Sequence, residues 1–127
     1  MTVRAIEHIG ITVPDLEQAT VFFAEAFGAE HVYELPSDLG MQHFCVYVDD
    51  IDAAATRLKK AGGRLLSPPG ELPGGDAGAG NRYLYARTPW GSTVELVTYP
   101  SPQAYQAGTA LRRWRPPAAS DHTRQES

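Results

Sequence analysis

Two histidines and a glutamate carry the chemistry this sequence has to offer. His8 and His43 occupy the same place in two similar segments. The stretch His8-Ile-Gly-Ile-Thr-Val-Pro-Asp-Leu-Glu-Gln-Ala19 overlies His43-Phe-Cys-Val-Tyr-Val-Asp-Asp-Ile-Asp-Ala-Ala54 at a constant offset of 35. Val13 meets Val48, Asp15 meets Asp50 and Leu16 meets Ile51; further on, Phe23 meets Leu58 and Gly28 meets Gly63. Glu95 lies between the apolar Val94 and Leu96. Two imidazoles and one carboxylate suit Fe, Mn, Zn, Ni or Co as divalent ions and leave coordination positions open for substrate and water. A carboxylate on an inward face is costly unless a cation or several donors offset its charge. Taken singly, each residue also has a plainer reading. A strand histidine is commonly a hydrogen-bonded or surface group, and strand alternation can turn Glu95 to water.

The elements that would position these residues follow from the repeat, which marks two copies of one supersecondary unit. Residues 6–13 are rich in β-branched types and end at Pro14-Asp15, as a strand running into a helix does. Asp15 is an expected N-cap, and Leu16, Ala19, Phe22, Phe23, Ala26 and Phe27 recur at helical spacing until Gly28. In the second copy Asp50 or Asp52 caps a helix that ends at Gly62-Gly63. Strand-type sequence is expected at 31–35 and 64–67, then at 82–87 and 93–99, the last two joined by the turn Thr88-Pro-Trp-Gly-Ser92. The second copy thus completes βαβββ. The first runs through Pro36-Ser-Asp-Leu-Gly40 almost directly into the second, about two strands short.

The fold expected is therefore α+β: paired βαβββ modules forming a curved, cup-like mixed sheet, with the first module incomplete. Module one spans 4–40 and module two 41–100, within a single domain at 1–100. The segments at His8 and His43, together with Arg87-Thr-Pro-Trp-Gly-Ser-Thr-Val-Glu-Leu-Val97, resemble the vicinal oxygen chelate superfamily of glyoxalases, methylmalonyl-CoA epimerases, extradiol dioxygenases and bleomycin or fosfomycin resistance proteins. The resemblance covers roughly residues 4–100. It implies a divalent metal held by His8, His43 and Glu95, with Glu95 also able to move a proton. It implies an enzyme acting on a small oxygen-chelating, carbonyl-type metabolite, as an isomerase or lyase of the glyoxalase or epimerase type. Dioxygenation and non-catalytic small-molecule binding or resistance are the alternatives. Members with such a site usually add a Glu or Gln ligand from the final strand of the first module, the portion missing here; Glu34 does not match that motif position.

Tyr47, Tyr85 and Trp90 are candidates to line a substrate pocket, with Tyr83 as further aromatic surface. The loop Gly74-Gly-Asp-Ala-Gly-Ala-Gly80 lacks the ending of a phosphate-binding loop and is read as a lid or connector; no nucleotide cofactor is expected. Cys45, the only cysteine, excludes an intramolecular disulfide and is read as a buried, inert thiol. With 43% hydrophobic and 20% charged residues and a net charge of −4, the 127-residue chain has a globular composition and no electrostatic pull toward nucleic acid. No stretch approaches a membrane span or a signal sequence, so a cytoplasmic protein is expected. Residues 101–127, with Arg112, Arg113 and Arg115 ahead of Pro116-Pro117, read as a flexible tail. The bare strand edge left by the short first module points to a homodimer, with the glycine-rich loop or the C-terminal tail folding over the gap within one chain as the alternative.

Overall fold

The computed structural model describes residues 3–33 and 42–117. Its six strands are β1 (Val3–Gly10), β2 (His43–Val48), β3 (Arg64–Leu65), β4 (Gly70–Glu71), β5 (Arg82–Arg87) and β6 (Thr93–Thr98), and its helices are α1 (Leu16–Phe27) and α2 (Ile51–Lys60). They build one mixed sheet in the order β1-β2-β6-β5-β3, with β4 paired to another part of β5. β2 and β6 run parallel, and every other pair is antiparallel.

Both helices start as the sequence predicts. The Asp15 carboxylate accepts from the Gln18 N–H at 3.1 Å and the Asp50 carboxylate from the Ala53 N–H at 3.0 Å. Asp52, the alternative cap, instead pairs with Arg82 on β5 at 3.0 Å. Gly28 closes α1 at φ 70°, a left-handed conformation that costs glycine little. The two helices differ in what they bury. α2 sets Ile51, Ala54 and Ala55 against Val48, Leu84, Ala86, Val94 and Leu96 on one face of the sheet. α1 buries no residue at all, and its Leu16, Phe22 and Phe27 are exposed.

The module expected to complete βαβββ does so, with the short β3 and β4 in place of one strand at 64–67. In the first module residues 31–33 form no strand, contrary to the sequence expectation, and residues 34–41 lie outside the described part, Glu34 among them. The opposite face of the sheet carries Cys45, Tyr47, Val97 and Tyr99, packed with Leu72 and Tyr83. Residues 101–117 correct the expectation of a solvated tail, because they lie against this face. They form a 3-10 turn at Ala104–Ala107, bury Gln103 and Tyr105, and stack Tyr105 on Tyr33 with ring centroids 4.7 Å apart. Tyr105 and Gln103 act as anchors that composition alone did not reveal. Residues 118–127 lie outside the described part.

Candidate metal centre

Each of the three chemical residues reaches the cup from a different strand. β1 and β2 are antiparallel neighbours in which Gly10 faces His43 and His8 faces Cys45; in the next pair Cys45 faces Glu95 of β6. This register stacks His8, His43 and Glu95 across three adjacent strands. Gly10 is what lets the His43 ring lie across β1, since a Cβ there would sit 2.3 Å from His43 Cε1. His43 and Glu95 are buried, while the His8 side chain is 30% exposed and so open to a ligand from the cup.

The three candidate ligand atoms converge. His8 Nε2 lies 3.1 Å from His43 Nε2 and 3.1 Å from Glu95 Oε1, and His43 Nε2 lies 3.0 Å from the same oxygen. Three lone-pair-bearing atoms cannot crowd so closely without a proton or a cation among them. Burial works against the charge on His8, but hydrogen bonds to Glu7 and Glu95 push its pKa up to about 9. Burial likewise opposes the charge on Glu95, yet hydrogen bonds from His43 and His8 hold its carboxyl below the usual carboxylate range. The site is thus built to keep a positive charge beside Glu95. Its donor set, two imidazole nitrogens and one carboxylate oxygen, fits a divalent transition metal in the place of that proton.

A second layer was not anticipated from the sequence. The register of β1 slips between Ile6 and His8, a bulge that places Glu7 and His8 on the same side instead of alternating. Glu7 is therefore buried inside the cup, where its carboxylate meets His8 Nδ1. Arg113 comes in from the C-terminal segment, with Nη2 2.6 Å from Glu7 Oε1 and Nη1 2.7 Å from the Tyr33 hydroxyl. Buried Asp76 accepts from Gln103 Nε2 at 2.7 Å and pairs with Arg113 at 3.3 Å. No spacing rule links Glu7 to Arg113, and a β-bulge has no reliable sequence signal.

A cavity of about 540 Å³ opens above the three ligand atoms, lined in addition by Glu30, His31, Leu72, Tyr83, Tyr85 and Arg113. Of the expected pocket residues, Tyr85 is on this wall. Tyr47 is not: it is buried beneath, where its hydroxyl accepts from the Tyr99 N–H at 3.1 Å. Trp90 is 78% exposed on the β5–β6 turn and also lies off the cavity. The glycine-rich stretch provides a 3-10 turn at Gly74–Asp76, which presents Asp76. Cys45 is fully buried, and burial pushes its thiol well above the ordinary range, as an inert thiol requires.

Known proteins resemble this chain in sequence and in fold. Residues 35–96 match the family model described as Glyoxalase/Bleomycin resistance protein/Dioxygenase superfamily. A 2-epi-5-epi-valiolone epimerase from Actinomyces sp is 30% identical over 170 residues, spanning 93% of this chain and 92% of that protein. The chain belongs to this superfamily. Solved structures share its fold. Methylmalonyl-CoA epimerase from Mycobacterium tuberculosis aligns with a TM-score of 0.62 at 20% identity, over 85% of this chain and 94% of that one. A selenomethionine methylmalonyl-CoA epimerase aligns with a TM-score of 0.57 at 23% identity, over 80% and 99%. The 170-residue alignment is longer than the 127-residue chain, so the valiolone epimerase has residues with no counterpart here.

Proposed function

We propose that this member of the superfamily is a divalent-metal-dependent isomerase that inverts a carbon centre next to a carbonyl in a small metabolite. The observation that carries the reading is the convergence of His8 Nε2, His43 Nε2 and Glu95 Oε1 to within 3.1 Å of one another at the floor of the cavity. An ion held by these three residues would supply Lewis-acid stabilisation to a substrate oxygen that gains negative charge when the neighbouring carbon loses its proton. Glu95 would take that proton and pass it to solvent, and a solvent-derived proton delivered to the other face of the carbon would complete the inversion with no net change in bonding. Tyr85 and Tyr83 offer ring surface for the rest of the substrate, and 540 Å³ suits a small metabolite. Isomerisation is preferred to lyase or dioxygenase chemistry because the similar proteins are named as epimerases.

The protein is further proposed to be a homodimer. β1 is an edge strand of the described sheet with Ile6 exposed on it, and Leu16, Phe22 and Phe27 of α1 are exposed as well. Bare strand edges and exposed apolar helix residues are rarely left to water, and a twofold partner would cover both.

The function is tested by metal analysis of anaerobically purified protein, followed by incubation with small 2-keto and acyl compounds in D2O. Deuterium should enter the carbon beside the carbonyl, cease on chelation and resume when a divalent ion is restored. Protein that neither contains nor takes up a stoichiometric divalent ion sinks the reading. Metal binding without exchange on any such compound would favour a binding role instead.

A further inference from the structure

We infer that Glu7 and Arg113 are positioning residues for the metal centre: Glu7 holds His8 in one tautomer, and Arg113, from the C-terminal segment, holds Glu7. The inference rests on the proposal that His8 is a metal ligand. An ionised carboxylate only accepts hydrogen bonds, so at the Glu7 contact His8 Nδ1 must donate. The lone pair of the neutral ring is then on Nε2, the atom facing His43 and Glu95. A ligating histidine is commonly fixed by a carboxylate on its other nitrogen, which sets the ring's orientation and raises its basicity.

Glu7 is itself over-determined. Its side chain is 1% exposed, on a bulge that turns it inward beside His8. The Arg113 guanidinium meets its second oxygen at 2.6 Å and reaches Tyr33 and Asp76 with its other end. Arg113 Nη2 also lies 3.4 Å from His8 Nδ1, but both carry hydrogen in this arrangement, so the Nη2 proton belongs to Glu7. The guanidinium therefore joins β1, the 31–33 segment, the Gly74–Asp76 turn and the C-terminal segment around the ligand histidine. The C-terminal segment thus supplies Arg113 to the cavity lining.

The test uses the full chain with Zn(II) as the probe, in wild type and in the variants Glu7→Gln, Arg113→Ala, Arg113→Lys and His43→Ala. Glu7→Gln keeps the volume and leaves Asp76 as a partner for Arg113, so the fold, read by circular dichroism, should survive. Long-range ¹H–¹⁵N spectra of the histidine rings of the Zn(II)-loaded wild type should show His8 protonated at Nδ1. Glu7→Gln and Arg113→Ala should each weaken Zn(II) binding by about 10–100-fold, and Arg113→Lys should recover part of the loss. If His43→Ala loses the ion while Glu7→Gln and Arg113→Ala bind it as tightly as wild type, the inference falls and the metal site stands. His8 coordinated through Nδ1 overturns it as well. Wild type that takes up no Zn(II) overturns both this inference and the metal reading beneath it.

Discussion

Gly10 and His43 form the tightest steric dependence in the site. With the position of a Cβ only 2.3 Å from the imidazole Cε1, Gly10→Ala must push His43 off its place or bend β1. Gly10→Ala is expected to weaken divalent-metal binding on the order of 10–100-fold, as loss of a ligand's support does, while leaving the α2 side of the core intact; calorimetric titration with Zn(II) measures it. Protonation gives a second expectation at this scale. His8, raised from 6.5 to about 9 in the folded metal-free protein, contributes stability that is complete below the unfolded value and is lost as pH rises through about 9. Glu95, depressed below 4.5, contributes stability that is present above that value and is lost as pH falls through its lower folded value. Thermal unfolding of chelator-treated protein should therefore show these two groups' contributions together between roughly 4.5 and 6.5, with a decline toward pH 9 that His8→Ala removes.

The two helices begin in the same way and behave as different elements because only one has a surface to lie on. Removing the cap of α2 with Asp50→Ala should lower global stability by about 0.5–2 kcal/mol, because Ile51, Ala54 and Ala55 tie that helix to the sheet core. Asp15→Ala removes an equivalent bond from α1, yet α1 fully buries none of its residues and half-buries only Ala19 and Phe23. A 12-residue helix is marginal without tertiary support. In dilute, monomeric protein Asp15→Ala should therefore speed amide exchange within α1 and leave the melting temperature unchanged. A melting shift as large as that of Asp50→Ala would show that α1 is an integral part of the monomer.

At the scale of the whole molecule, the C-terminal segment and the exposed first module make opposite contributions. Ending the chain at Pro102 removes Arg113 and leaves Glu7 and Asp76 as buried carboxylates without their cation. Breaking a buried pair in this way costs about 3–5 kcal/mol, so the melting temperature should fall well below that of the full chain. An unchanged melting temperature would return residues 103–117 to the status of a tail. The proposed dimer is tested by replacing Phe22 and Phe27 with Asp, both of them exposed apolar positions on α1. Light scattering at micromolar concentration should show the twofold assembly of the parent chain and a monomer for the double variant.

Local chemistry made much of this protein readable from its residues. The offset repeat marked His8 and His43 as equivalent, because register is a periodic property of a chain, and the resemblance carried by Arg87–Val97 singled out Glu95 as a carboxylate between two apolar neighbours. Caps at Asp15, Asp50 and Gly28 were readable for the same reason: a helix end needs a partner within a few residues. The tertiary structure decided what depends on distant segments. The β1 bulge broke the alternation that would have sent Glu7 outward, and 106 positions separate Glu7 from the arginine that compensates it. Parity likewise put Tyr47 on the cup side of its strand, but the packing of Tyr99 and Leu72 against it closed it off from the cavity. An arginine-rich, proline-rich end looks solvated when its charges are counted alone; buried carboxylates waiting on β1 and at the Gly74–Asp76 turn made this one part of the fold.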